Sequence, residues 1–141
     1  MSVASFATFL GALRVDWLDV IGEPENIPTA FENVPGPDLG STDAPSVWAQ
    51  FTVILGEQSQ QEFGGATSMW RSAGVLSINV NVPLKSGDAE TMRLVDLISD
   101  HYRGKDIAGA SFQGPTVTSV GARQKWWQTN VAIPFWANRF V

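Results

Sequence analysis

Between Leu76 and Val82, the apolar residues Leu76, Ile78, Val80 and Val82 alternate with Ser77, Asn79 and Asn81. A strict period of two predicts a β-strand with one buried face and one hydrated face. Pro83 ends the run, and Ser86, Gly87 and Asp88 open a helix. The hydrated face is small, polar and uncharged. Such a face can be wetted, can line a cavity or can pack against another copy of the chain.

The same patterning organises the rest of the chain. Phe6, Phe9, Leu10, Leu13 and Trp17 share one side of a helix predicted over residues 3–20, capped by Ser2 or Ser5 and ended by Gly22 and Pro24. Residues 29–32, bracketed by Pro28 and Pro35, read as a short edge strand. A Pro-rich loop follows, to about residue 45. Val47, Ala49, Phe51, Val53 and Leu55 alternate with Trp48, Gln50 and Thr52, as in a half-buried strand. Residues 56–68, GEQSQQEFGGATS, are polar and Gly-rich and read as a long hairpin loop with one apolar residue, Phe63. A strand over 69–82 leads to a helix over 88–102 with the stripe Thr91, Leu94, Val95, Leu97, Ile98 and Tyr102. Gly104 suits its C′ position. Short strands are expected at 107–112 and 116–120, with a turn around Gly121, Ala122 and Arg123, and a long final strand at 125–134. In that strand Trp127, Thr129, Val131, Ile133 and Phe135 oppose Trp126, Gln128, Asn130, Ala132 and Trp136. The aromatic C-terminal segment packs either on its own domain or on a neighbour. The fold class expected is α+β: a mainly antiparallel sheet with the N-terminal helix and one central helix packed on one face. The whole span 1–141 reads as one domain.

Composition narrows the function. Charged residues make up 16% of the chain and there are six tryptophans, a combination left by surfaces that partners cover. The net charge of −5 and the scattered Lys and Arg argue against a dedicated nucleic-acid binder, which needs a basic patch. With no cysteine there is no disulfide, thiolate metal site or Cys nucleophile. The first twenty residues lack a basic segment before their apolar stretch and contain Asp16 and Asp19, so they read as an amphipathic helix rather than a signal peptide or membrane span.

No catalytic constellation emerges. His101 is the only histidine, and its place at a helix C-terminus suits a dipole partner. No serine lies in a Gly-x-Ser-x-Gly elbow. Gly64-Gly65 and Ser86-Gly87 lack the Lys-Ser/Thr ending of a P-loop. Glu23, Glu25, Glu32, Asp38 and Asp43 cluster in sequence but without a calcium-loop frame, and read as a solvated acidic loop. No catalytic, cofactor-binding or metal-ligating residue is assigned, and the chain is not expected to be an enzyme.

Several segments, in order, carry a family resemblance: the helix beginning right after Met1-Ser2-Val3; IPTAFENVP at 27–35; VWAQF at 47–51; GVLSINVNVP at 74–83 before Gly87 and its helix; and Trp127 with VAIPF at 131–135. Over nearly the whole chain it resembles the small tail-terminator, or tail-completion, proteins of long-tailed bacteriophages, a group long catalogued as a phage-related domain of unknown function. The 57–68 loop and the tail after Phe135 depart from the pattern. The resemblance implies a structural virion protein that caps the head-proximal end of the tail tube as a ring, usually a hexamer. It ends tube polymerisation at the length set by the tape-measure protein and gives the surface that joins tail to head. The implied partners are other copies of the chain, the tail-tube protein, the head-side connector or stopper and the tape-measure protein. Genome DNA would pass the lumen without specific binding, and no membrane is involved. The implied location is the head-proximal end of the virion tail, and the host cytoplasm during assembly. Candidate tube- or lumen-facing loop residues are Glu57, Gln58, Gln60, Gln61, Glu62 and Phe63. Candidate subunit-interface residues are Trp48, Trp70, Ser77, Asn79, Asn81, Trp126, Trp136 and Phe140. The loop at 33–45 is a candidate neighbour or head-side contact. The alternatives are another neck or head-completion protein, or a ligand-binding module built on Ser77, Asn79 and Asn81.

Overall fold

Hydrophobic periodicity sets the layers of this protein. The computed structural model describes residues 5–32, 47–60, 69–85 and 87–140. Helix α1 runs Phe6–Trp17, and the Ser5 side chain accepts a hydrogen bond from the Thr8 N–H at its start. Of its stripe, Phe9, Leu13 and Trp17 are buried. The chain then widens into a π-helical turn, Leu18–Gly22. The wider turn places Gly22 against the Trp17 indole, where an added Cβ would lie 3.3 Å from Nε1. The freed indole N–H donates to Thr29 Oγ1 at 2.8 Å, and that hydroxyl donates to the Ile27 carbonyl at 3.1 Å. These bonds tie the helix to strand β1 (Thr29–Phe31).

Seven strands form one sheet. After β1 come β2 (Trp48–Gln60), β3 (Met69–Pro83), β4 (Asp106–Ile107), β5 (Ala110–Phe112), β6 (Thr116–Arg123) and β7 (Trp126–Phe140). Helix α2 (Ala89–Tyr102) lies between β3 and β4 in sequence. The order is β1-β2-β3-β7-β5-β4, with β6 also pairing β7. Only the β1–β2 pair is parallel. β3 and β7 pair along their full lengths, from Met69 opposite Phe140 to Pro83 opposite Trp126. The aromatic C-terminal segment is therefore a strand of its own domain.

Both helices cover one face. Phe9 meets Phe135 at 5.3 Å between ring centroids, Trp17 meets Phe51 at 5.7 Å, and Tyr102 meets Phe112 at 5.2 Å. Leu76, Ile78, Val80 and Val82 are buried beneath them with Val131 and Ile133. The α+β expectation, with a mainly antiparallel sheet and helices on one face, holds. Full burial of each such side chain contributes on the order of 1.5–3 kcal/mol. Gly74, opposite Phe135, is required by space: an added Cβ would fall 2.6 Å from the Phe135 ring and 2.7 Å from the Ile54 carbonyl oxygen.

Four local expectations need correction. The loop expected to begin at residue 56 instead continues as strand to Gln60. A bulge between Leu55 and Gln58 shifts the register, and Gln58 and Ser59 beyond it are exposed. The turn expected at 121–123 is strand. Gly121 sits there with φ +100 at a second bulge, and the chain reverses at Gln124 and Lys125. Leu97, expected in the buried stripe of α2, is exposed, and Ser99 is buried instead. Leu55 is also exposed, since its position lies beyond the main core.

The helices are joined by polar contacts. His101 Nε2 lies 2.7 Å from Asp16 Oδ2, both partly buried, so the histidine's partner is a side chain of α1. Arg93 bridges Glu90 at 2.7 Å and also pairs with Glu25. The hydrogen bond from Arg93 holds the Glu90 carboxyl below its ordinary range. Arg93 and Glu90 are each about half exposed, so their pair contributes little to stability.

Candidate assembly surface

The sheet face opposite the helices is uncovered among the described residues. Along β2 it presents Trp48, Gln50, Thr52 and Ile54; along β3 Asn81, Asn79, Ser77 and Val75; along β7 Gln128, Asn130, Ala132, Pro134 and Trp136. The period-two pattern fixes this sorting, because the alternate residues Ala49, Phe51, Leu76, Ile78, Val80, Val131 and Ile133 lie in the core.

At the centre lies a polar cluster. Asn130 Nδ2 donates to Ser77 Oγ at 2.8 Å and to Asn79 Oδ1 at 2.8 Å, using both hydrogens of one amide. Ser77 and Asn79 are half-buried, so they are both bonded and partly available to solvent or a partner. Asn81 is nearly fully buried, with long bonds of 3.4 Å from Nδ2 to the Trp48 and Asn79 carbonyls. Trp126 is buried too, and meets Trp48 edge to face at 6.2 Å. The Trp48 Nε1 is buried without a hydrogen-bond partner.

Toward the other end, Trp136 is 37% exposed and Ile54 is 54% exposed. The Arg71 guanidinium stands over the Trp136 ring at 5.0 Å, and its Nε donates to Asn138 Oδ1 at 3.0 Å. Trp70 is half-buried on β3, opposite Gln60 and Arg139. Phe140 lies opposite Met69 at the end of β7.

Two stretches of sheet edge are open among the described residues besides the short end strands β1 and β4. β1 pairs only with Ala49–Phe51 of β2, leaving the outer edge of β2 from Thr52 onward unpaired. On the other side β6 pairs only β7, and its Val117 and Val120 are exposed. Open edges carry free N–H and C=O groups that can pair with another strand.

Of the residues singled out in sequence, Trp48, Ser77, Asn79, Asn81, Trp126 and Trp136 share this face, although Asn81 and Trp126 offer almost no surface. Glu57 and Gln58 are exposed strand residues, and Gln60 ends the strand. Gln61, Glu62 and Phe63, and the loop at 33–45, lie outside the described residues. Arg71, Asn130 and Asn138 were missed. Their alternation was visible, but the register that brings Asn130 opposite Asn79 links positions far apart in sequence. One cleft lies against β6 and the start of α2 and another between α1 and β2, and neither is lined by Ser77, Asn79 or Asn81. Among the described residues no group of three or more His, Cys, Asp or Glu side chains could hold a metal ion. No described helix is long and apolar enough to cross a membrane.

No protein-family model matches the chain, and no curated protein matches it. Among solved structures, one similar chain, whose name states no function, superposes with a TM-score of 0.59 at 12% identity, covering 89% of this chain and 93% of that one. At that identity the likeness concerns the fold alone.

Proposed function

We infer that the protein is a tail terminator of a long-tailed bacteriophage: a non-enzymatic ring subunit that caps the head-proximal end of the tail tube and joins it to the head. The reading starts from the ordered sequence resemblance. The observation that supports it most is the uncovered sheet face flanked by open edges on opposite sides, β2 and β6. A closed ring needs heterologous contacts, in which one side of each subunit meets a different side of the next. Two different open edges supply such a pair, and Trp136 and Ile54 supply apolar contact area beside them.

An acidic subunit with net charge −5 suits a channel through which DNA slides without sticking. Partners in this reading are further copies of the chain, the tube protein, the head-side connector and the tape-measure protein. The direct test is capping: purified protein is added to polymerising tail tubes, and rings at one tube end are sought by electron microscopy, with light scattering for the assembly state. A chain that stays monomeric and never caps tubes would sink the proposal.

A further inference from the structure

The uncovered sheet face divides into two halves. Around Asn79 it is polar, and Asn130, Ser77 and Asn79 bond to one another. Toward the other end, cross-strand pairing sets Ile54 beside Val75, Val75 beside Pro134, and Ala73 beside Trp136. Ile54, Ala73, Pro134 and Trp136 are exposed, so this half is apolar and open to contact. One charge stands at its edge. Arg71, opposite Asn138, is held by the Trp136 ring beneath its guanidinium and by the bond from Nε to Asn138 Oδ1. It forms no ion pair among the described residues. β3 and β7 carry no acidic residue. A guanidinium fixed in this way offers its two Nη groups to a carboxylate with little further loss of freedom.

A matching surface lies on the opposite side of the molecule. Helix α1 turns Phe9, Leu13 and Trp17 toward the sheet. Val15, Asp19 and Glu23 follow one another four residues apart along its outward side and through the π-helical turn, with Val20 next to Asp19. All four are exposed, Val15 at 57% and Val20 at 46%. Asp19 and Glu23 form no ion pair among the described residues. The strip therefore offers apolar side chains with unpaired carboxylates, and the sheet patch offers apolar side chains with an unpaired guanidinium. The two lie on opposite faces of one chain and cannot meet within it. Between copies they can, and such a contact is heterologous and repeats from each copy to the next.

We propose that the apolar half of the sheet face in one copy docks on the outward strip of α1 in the next, with Arg71 paired to the carboxylates of Asp19 and Glu23. The proposal rests on the assembly reading and names the surface that the open face meets. It uses neither the β6 edge nor the cleft beside it.

The test is site-directed cross-linking of the full chain. With no natural cysteine, introduced thiols report on the chosen positions alone. Ile54→Cys and Val15→Cys are made in separate chains, both at exposed positions. Each is treated with a short bis-maleimide, alone and as an equimolar mixture, both in solution and with tail tubes present. The mixture should give a covalent dimer, neither variant alone should, and a chain carrying both changes should give a ladder of oligomers. Arg71→Gln should weaken association about tenfold, as expected for a lost hydrogen bond between charged groups. Arg71→Glu should weaken it further, and adding Asp19→Arg to Arg71→Glu should restore it. If wild type assembles but Ile54→Cys cross-links mainly to itself, the mixture gives no dimer, or Arg71→Gln changes nothing, this contact is overturned and the ring reading stands. A wild-type chain that never associates, alone or on tubes, would overturn both.

Discussion

Tyr102 is the only tyrosine in the chain, it is completely buried, and its hydroxyl has no hydrogen-bond partner. Burial, reinforced by the nearby Asp16 carboxylate, pushes its phenol well above the ordinary value of 10. The consequence for stability has a definite sign. The folded pKa is raised, so the group's contribution is fully present below pH 10 and is lost as pH rises above it, because the unfolded chain then releases a proton that the folded chain retains. For one proton with an unfolded pKa of about 10, the loss reaches about 1.4 kcal/mol at pH 11. Lysine side chains in general titrate in this range, so wild type must be compared with Tyr102→Phe, which keeps the ring contacts to His101 and Phe112. Near pH 8 the variant should be as stable as wild type or more stable by about 1 kcal/mol, since it removes a buried hydroxyl without a partner. By pH 11 its advantage should grow by about 1.4 kcal/mol. Urea unfolding followed by tryptophan fluorescence at several pH values gives this difference. Absorbance at 295 nm gives the phenol directly, as one tyrosine means one signal. A native phenol titrating near pH 10, with a pH-independent difference between the two proteins, would refute the reasoning.

Three further perturbations probe packing and assembly. Gly74→Ala places a methyl into the Phe135 ring and the Ile54 carbonyl and should cost about 1–3 kcal/mol in urea unfolding; a neutral effect would mean that β3 and β7 can separate locally at no cost. A double-mutant cycle of Asp16→Asn and His101→Gln should give a coupling of about 1 kcal/mol across the α1–α2 contact near pH 6, and additivity would show the pair to be energetically idle. Trp136→Ala, on the uncovered face, should leave unfolding within about 0.5–1 kcal/mol of wild type. The same change should weaken ring assembly on tubes by about 2 kcal/mol, as a central aromatic contact would, with capping of tubes at limiting protein as the readout.

Periodicity made the core legible. The stripe from Phe9 to Trp17 and the alternation from Leu76 to Val82 follow from local spacing, and the structure buries them as that spacing dictates; of the two caps the spacing allowed, Ser2 and Ser5, Ser5 accepts the Thr8 N–H. The errors have a common source in contacts between distant segments. Polarity suggested a loop at 56–60, but pairing with β3 continues the strand to Gln60, with residues 56–59 exposed. Gly121 signalled a turn, yet a positive φ serves a bulge equally well. His101 could be placed at a helix end, but not beside Asp16 of another helix. The candidate surface was legible as alternation along single strands. Its geometry was not: the fork from Asn130 to Ser77 and Asn79, the burial of Asn81 and the Arg71–Trp136 contact all depend on cross-strand register.

The central claim is that this chain ends tail-tube growth and readies the tail for the head. Electron microscopy of lysates from a phage whose gene for this protein is deleted tests it most directly. The expected result is tails of abnormal, variable length beside unjoined, filled heads, restored to uniform joined particles by the wild-type protein supplied in trans. Tails of normal length with a finished, stable end would contradict it.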